Sequence, residues 1–229
     1  MSTMFLRSIV SSVAIAALFA APAQAAPELV TPLDPCYVVA QENQRQPVVI
    51  AAKGFTPLNQ VDIFIDNMLQ TSTLALADGT IKGNVLAPFQ EEGTGPFTLR
   101  LSEVEVPTNT LAATTLVTRL AVEQLPPRAS TAQRVRFKGR GFLTAGAPVY
   151  AHYVFAAKAR KSVRLGLPKG PCGTFNFKRP QFPFKKSPGE GKWTIQFDQN
   201  PHYDPNTAVR VPMTIRVKRT AKQESVRAR

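Results

Sequence analysis

Apolar and polar residues alternate in short runs along most of this chain, and turn-forming residues close each run. Phe97, Leu99 and Leu101 alternate with Pro96, Thr98 and Arg100, and Trp193, Ile195 and Phe197 alternate with Lys192, Thr194 and Gln196. Val61, Ile63 and Ile65 alternate with Asp62, Phe64 and Asp66. Two further rows end each half of the chain: Leu116, Thr118, Leu120 and Val122, then Val211, Met213, Ile215 and Val217. A period of two predicts strands with one face in a core and one in water. Clusters such as Ala77-Asp78-Gly79 and Glu92-Gly93-Thr94-Gly95-Pro96 separate the runs. The 20 prolines suit the edges and loops of such a fold. No window beyond the first 25 residues sustains a helical period. Short strands spaced by turns over about a hundred residues predict a β-sandwich.

The exception is the N-terminus. Arg7 precedes a short apolar run from Ser8 to Ala20, and Ala23-Gln24-Ala25 is a small-x-small cleavage site. Residues 1–25 therefore read as a secretory signal peptide cleaved near Ala25-Ala26, which makes the chain secreted or extracytoplasmic. Export permits disulfides. The chain has two cysteines, Cys36 and Cys172. They either form a bridge, for which chain entropy credits about 4–5 kcal/mol, or stand as two separately buried thiols.

Four landmarks recur in the same order. Pro47-Val-Val-Ile-Ala-Ala-Lys-Gly54-Phe55 returns as Gln133-Arg-Val-Arg-Phe-Lys-Gly-Arg-Gly141-Phe142, and Asp78-Gly79-Thr80-Ile81 returns as Cys172-Gly173-Thr174-Phe175. Pro88-Phe89 returns as Pro183-Phe184, and the strand beginning Gly95-Pro96-Phe97 returns as Gly191-Lys192-Trp193. A glycine directly after a strand permits a positive φ and a sharp exit, and the phenylalanine after it can fold back over the core. The pattern of strand, Gly-x-Gly-Phe, loop and strand, fullest at Gly139-Arg140-Gly141-Phe142, resembles the immunoglobulin-like repeats of bacterial secreted and surface proteins, the IPT/TIG type. The resemblance implies tandem immunoglobulin-like sandwiches serving as spacer, interaction or ligand-binding modules. The expected organisation is a signal peptide (1–25), an extended segment (26–35), an acidic sandwich (36–123), a proline linker (124–129), a basic sandwich (130–219) and a basic tail (220–229).

Charge changes the picture from fold to partner. Residues 26–125 carry five Lys and Arg against eleven Asp and Glu, a net −6. Residues 126–229 carry twenty-two against four, a net +18. The candidate binding residues are Lys158, Arg160, Lys161, Arg164, Lys169, Lys178, Arg179, Lys185, Lys186 and Lys192, with Phe175, Phe177, Phe182, Phe184 and Trp193 among them. Such mixtures line polyanion grooves. Their bland reading is a solubilising surface over core aromatics, or a basic half neutralised by the acidic one, although the charge exceeds what a small domain needs for solubility. Export argues against nucleic acid as the ligand. It leaves anionic envelope polymers, lipid headgroups or a protein partner.

Catalytic groups are sparse. His152 and His202 are the two imidazoles, and no Gly-x-Ser-x-Gly elbow accompanies them. His152 reads as a strand histidine bonded to a neighbour. Glu91-Glu92 and the pair Glu103 and Glu105 read as solvated carboxylates before they read as a glycosidase pair. Two cysteines without Cys-x-x-Cys spacing make no zinc site, and no Asp-x-Asp-x-Asp-Gly loop offers a calcium site. The sequence thus predicts a secreted, non-enzymatic binding or structural protein with no cofactor or metal. Its basic second half would contact an anionic envelope component. The alternatives are a protein-binding spacer, or a secreted hydrolase with an unrecognised site.

Overall fold

The computed structural model describes residues 26–218. The expected signal peptide and residues 219–229, with the basic tail, lie outside the described residues. Among those described, every regular element is a strand. In the first half these are β1 (Glu28–Leu29), β2 (Cys36–Gln41), β3 (Gln44–Arg45), β4 (Pro47–Lys53), β5 (Gln60–Ile65), β6 (Met68–Leu74), β7 (Ile81–Leu86), β8 (Thr94–Glu103) and β9 (Thr110–Arg119). In the second they are β10 (Ala121–Leu125), β11 (Arg134–Arg140), β12 (Val149–Phe155), β13 (Lys158–Gly166), β14 (Phe175–Pro180), β15 (Gly191–Asp198) and β16 (Val211–Val217). No helix is present among them to cross a membrane.

Four sheets form, in the orders β1-β4-β7, β3-β2-β9-β8-β5-β6, β10-β11-β14 and β13-β12-β15-β16. The first pair of sheets encloses one core, with Val48, Ile50 and Ile81 facing Tyr37, Ile63, Phe97 and Leu101. The second pair encloses another, with Val135, Phe137 and Phe175 facing Tyr153, Trp193, Ile195 and Phe197. The expected all-β, immunoglobulin-like sandwich architecture therefore holds. The rows through Phe97, Trp193 and Val61 bury the predicted faces. On the opposite face Phe64 is covered instead by the Arg100 guanidinium, 3.8 Å from its ring centroid.

The Gly-Phe landmarks explain the corners. Gly54 and Gly141 take φ of 91° and 90°, in the left-handed region that glycine tolerates. Phe55 and Phe142 then bury fully, a gain of about 2 kcal/mol each. Their N–H groups donate to the carbonyls of Gly79 and Gly173 at 3.1 and 3.3 Å. The two Gly-Thr landmarks are therefore the partners of the two Gly-Phe landmarks. A further parallel lies where strands β8 and β15 end. Glu103 accepts from the N–H and hydroxyl of Thr56, and Gln199 accepts from the N–H of Thr144 and donates to the carbonyls of Thr144 and Ala147. Each fastens the loop that follows its Gly-Phe corner. Glu103 is accordingly buried, not solvated as its sequence context suggests, and Asn109 Nδ2 donates to it at 2.6 Å.

Strand β2 joins the two halves. It runs parallel to β9, pairing Cys36 with Leu116 and Tyr37 with Val117. Tyr37 and Val39 enter the first core. Val38 and Ala40, on the opposite face, pack against the second. Cys36 shares that face and is bonded to Cys172, 136 residues away. An uninterrupted apolar run is the signature of a strand buried on both faces.

Two expectations need correction. The linker does not begin at residue 124, because Gln124 and Leu125 still pair with Phe137 and Arg136 in the second pair of sheets. The chain passes between the cores at Leu120, which is buried in the second. Period-two alternation runs unbroken through this crossing, so the pattern could not reveal it. The phase of the row beginning at Leu116 is also shifted. Val117 enters the first core, while buried Thr118 bonds Thr94 at 2.7 Å instead.

Candidate functional site

Strands β13 and β14 are edge strands of the two sheets around the second core. Their edges adjoin along one flank. Lys161 Nζ donates to the Pro183 carbonyl at 2.5 Å and lies 6.0 Å from the Phe184 ring centroid. A Cβ on Gly166 would lie 2.9 Å from the Phe177 ring. On this flank β13 exposes Lys158, Arg160, Lys161 and Arg164, and β14 carries Lys178 and Arg179. Lys169 lies in the connection between these strands, and Lys185 and Lys186 are exposed in the loop after β14. Lys192 departs from the group: it lies on β15, opposite Arg216. The aromatics are core residues. Phe182 and Phe184 stack on each other and pack at an angle against Tyr153 and Trp193. Burial pushes the Tyr153 phenol far above its ordinary range, against a smaller opposing pull from Arg179.

The cations on β13 have a structural use, since charge on an edge strand discourages edge-to-edge pairing. A second group lies on a central strand with no edge to guard, and in it Arg134 Nη2 donates to the Lys178 carbonyl at 3.2 Å. Arg134, Arg136, Lys138 and Arg140 form one outward row on β11, between buried Val135, Phe137 and Gly139. Every second strand residue gives a spacing of about 6.8 Å. Lys178 lies directly opposite Arg136, and Asn176 opposite Lys138. Arg140 Nη1 meets Glu123 Oε1 at 3.2 Å. Among the described residues no carboxylate pairs with Arg134, Arg136, Lys138 or Lys178. At the end of the row, Lys138, Arg140 and Lys169 line a groove of about 600 Å³ with Glu123, Asn176, Phe177 and Leu167. Sequence reasoning used Arg-Val-Arg-Phe-Lys-Gly-Arg as a repeat landmark and missed its charge. The strict alternation of cation with core residue was the available signal.

A polar cluster lies on the outer side of the four-stranded sheet. His152 and Asp198 are wholly buried. His152 Nε2 lies 3.2 Å from Asp198 Oδ1 and 3.0 Å from the Asn200 carbonyl oxygen. Facing two acceptors, Nε2 carries the proton. His152 Nδ1 then faces the hydroxyl of exposed Ser162 at 2.7 Å. Asp198 also accepts from Gln196 Nε2 at 2.7 Å and from the Asn200 N–H at 2.9 Å. Gln196 Nε2 donates to the Asp204 carbonyl as well, at 2.8 Å. The cluster ties the loop after β15 to the sheet and aligns a serine, an imidazole and a carboxylate. Its members come from β12, β13 and β15, and no local motif announces them. No group of three or more His, Cys, Asp or Glu able to hold a metal ion occurs among the described residues.

These features define an all-β protein of immunoglobulin-like sandwiches. No family model matches the chain, and no curated protein matches it. Among solved structures it is similar to the human OSCAR ligand-binding domain, at 11% identity over 85% of this chain and 99% of that one, with a TM-score of 0.33. It is also similar to SGBP-B of the Bacteroides ovatus mixed-linkage glucan utilization locus, solved in complex with a mixed-linkage heptasaccharide, at 14% identity and a TM-score of 0.24. That match covers 84% of this chain and 47% of that one. Likeness at this distance carries no argument about ligand or activity.

Proposed function

We propose that the chain is an exported, non-enzymatic binding protein made of a duplicated immunoglobulin-like module, related to IPT/TIG repeats, whose second copy holds an anionic component of the cell envelope. The matched strand orders, β1-β4-β7 with β10-β11-β14 and β9-β8-β5-β6 with β16-β15-β12-β13, support the duplication. The leader motif supports export. The observation that carries the reading is the concentration of cations on β11, β13 and β14, where among the described residues only Arg140 has a carboxylate partner. The test is retention of the full chain on envelope fractions at about 50 and about 500 mM NaCl, roughly a third of and three times physiological ionic strength. Retention at low salt and release at high salt is the expected result. No retention, or retention indifferent to salt, would favour a spacer that binds protein by other surfaces.

The Ser162, His152 and Asp198 alignment favours a second reading, a hydrolase, because a base oriented by a carboxylate can activate a serine. The binding reading expects no adduct on Ser162 when the chain is treated with a fluorophosphonate probe. An adduct that Ser162→Ala abolishes and His152→Gln slows would establish the hydrolase instead.

A further inference from the structure

We infer that β11 and β14 form a track for a linear polyanion. Arg134, Arg136 and Lys138 would take successive anionic groups along one strand, with Lys178 beside them and Lys169 at the groove end. This rests on the polyanion reading above and adds the site and the shape of the ligand. The row is a line of cations with a repeat of about 6.8 Å, as a chain molecule bearing regularly spaced phosphodiesters or carboxylates would need.

Three observations support a ligand over a bland surface. The corresponding strand of the first half, β4, turns Pro47, Val49, Ala51 and Lys53 outward, so the same position in the same sheet order folds with a single cation. Arg136 and Lys178 are direct cross-strand neighbours. Like charges opposite one another destabilise a sheet, and an anion bridging them relieves that repulsion. Among the described residues Arg136, Lys138 and Lys178 have no carboxylate partner, so their charge is left for a ligand.

The arrangement favours a polymer over a membrane surface. Glu123 stands on β10 beside Lys138 on the opposite side from Asn176. A flat anionic bilayer would press that carboxylate against its headgroups. A chain lying between β11 and β14 meets that carboxylate only at the groove that ends the row, where Arg140 pairs with it. Membrane binding also gains from an inserted apolar face, and the outward row of β11 contains no apolar side chain.

The test uses the full chain and fluorescent poly(glycerol phosphate) and polygalacturonate as separate probes, with affinity measured by anisotropy at 50 and 200 mM NaCl. The variant is Arg136→Gln with Lys138→Gln. The control, Lys158→Gln with Arg160→Gln, removes the same charge from β13. The expected result is a loss of roughly tenfold or more for the β11 variant and less than about threefold for the control, with the salt slope of the β11 variant shallower by about 1 to 2. Binding of one probe but not the other identifies the anionic group and upholds the track. Equal losses in both variants would replace the track with a diffuse field, leaving the broader reading intact. Binding of neither polymer would overturn the track, and retention on envelope fractions would then report separately on the broader reading. Tight binding to vesicles of phosphatidylcholine and phosphatidylglycerol, with weaker binding to both polymers, would also overturn the track. Arg136→Gln alone should leave the melting temperature unchanged or raised, because it removes a like-charge pair.

Discussion

Replacing Cys36 and Cys172 together by serine lowers the melting temperature by about 10–20 °C. The bridge spans 136 residues, and closing a loop of that length removes chain entropy worth about 5 kcal/mol from the unfolded state. For a protein of this size each kcal/mol corresponds to about 2–4 °C. The bond also holds β2 where its two faces meet two cores. Its loss should therefore separate one calorimetric transition into two, as the halves lose their shared strand. A melting temperature within about 2 °C of the parent, with a single transition, would mean that the Val38 and Ala40 contacts and the short passage at Leu120 couple the halves without it.

Gly173→Ala costs about 2–4 kcal/mol, more than a glycine substitution at an ordinary turn. Gly173 has φ of 55°, and a Cβ there would lie 2.1 Å from the Phe142 carbonyl oxygen and 2.5 Å from its carbon. The left-handed conformation alone costs an alanine about 1–2 kcal/mol. The clash is with backbone, so relief requires Phe142 to move and its hydrogen bond to Gly173 to lengthen, adding about 1–2 kcal/mol. Gly146 separates the two terms: its φ is 69° and nothing lies within 4 Å of its Cβ position. Gly146→Ala should cost only the conformational share, about 1–2 kcal/mol. Urea denaturation of the two variants measures the difference, and equal costs would show that the close approach at the Gly-Phe corner does not matter.

The sequence was legible where one physical demand acted on a residue. Phe97, Leu99 and Leu101 have a core on one side and water on the other, so their alternation could be read directly. It was illegible where two demands met. Residues 36–41 serve two cores and show no alternation, which hid the strand that joins the halves. Leu120 and Val122 continue a rhythm begun in the other pair of sheets, which moved the apparent boundary. Glu103 looked like a surface carboxylate because its partners come from two other places in the chain, Thr56 and Asn59 from the loop after β4 and Asn109 from the loop before β9. The candidate site divides in the same way. The dense run at 158–164 stood out by composition, yet it lies on an edge strand where charge also blocks pairing. The β11 row was diluted by the core residues between its cations, and only folding places it beside Lys178. The Ser162, His152 and Asp198 alignment depends on register among three strands, which spacing along the chain does not encode.

The claim that the second half is built to hold a polyanion is tested most directly by the salt dependence of binding. Titrating the full chain with a linear anionic polymer over 50–300 mM NaCl should give a straight line of log affinity against log salt, with a slope near −3 for about four ion contacts. A slope near zero, or no binding at 50 mM, would show that these cations meet no polyanion.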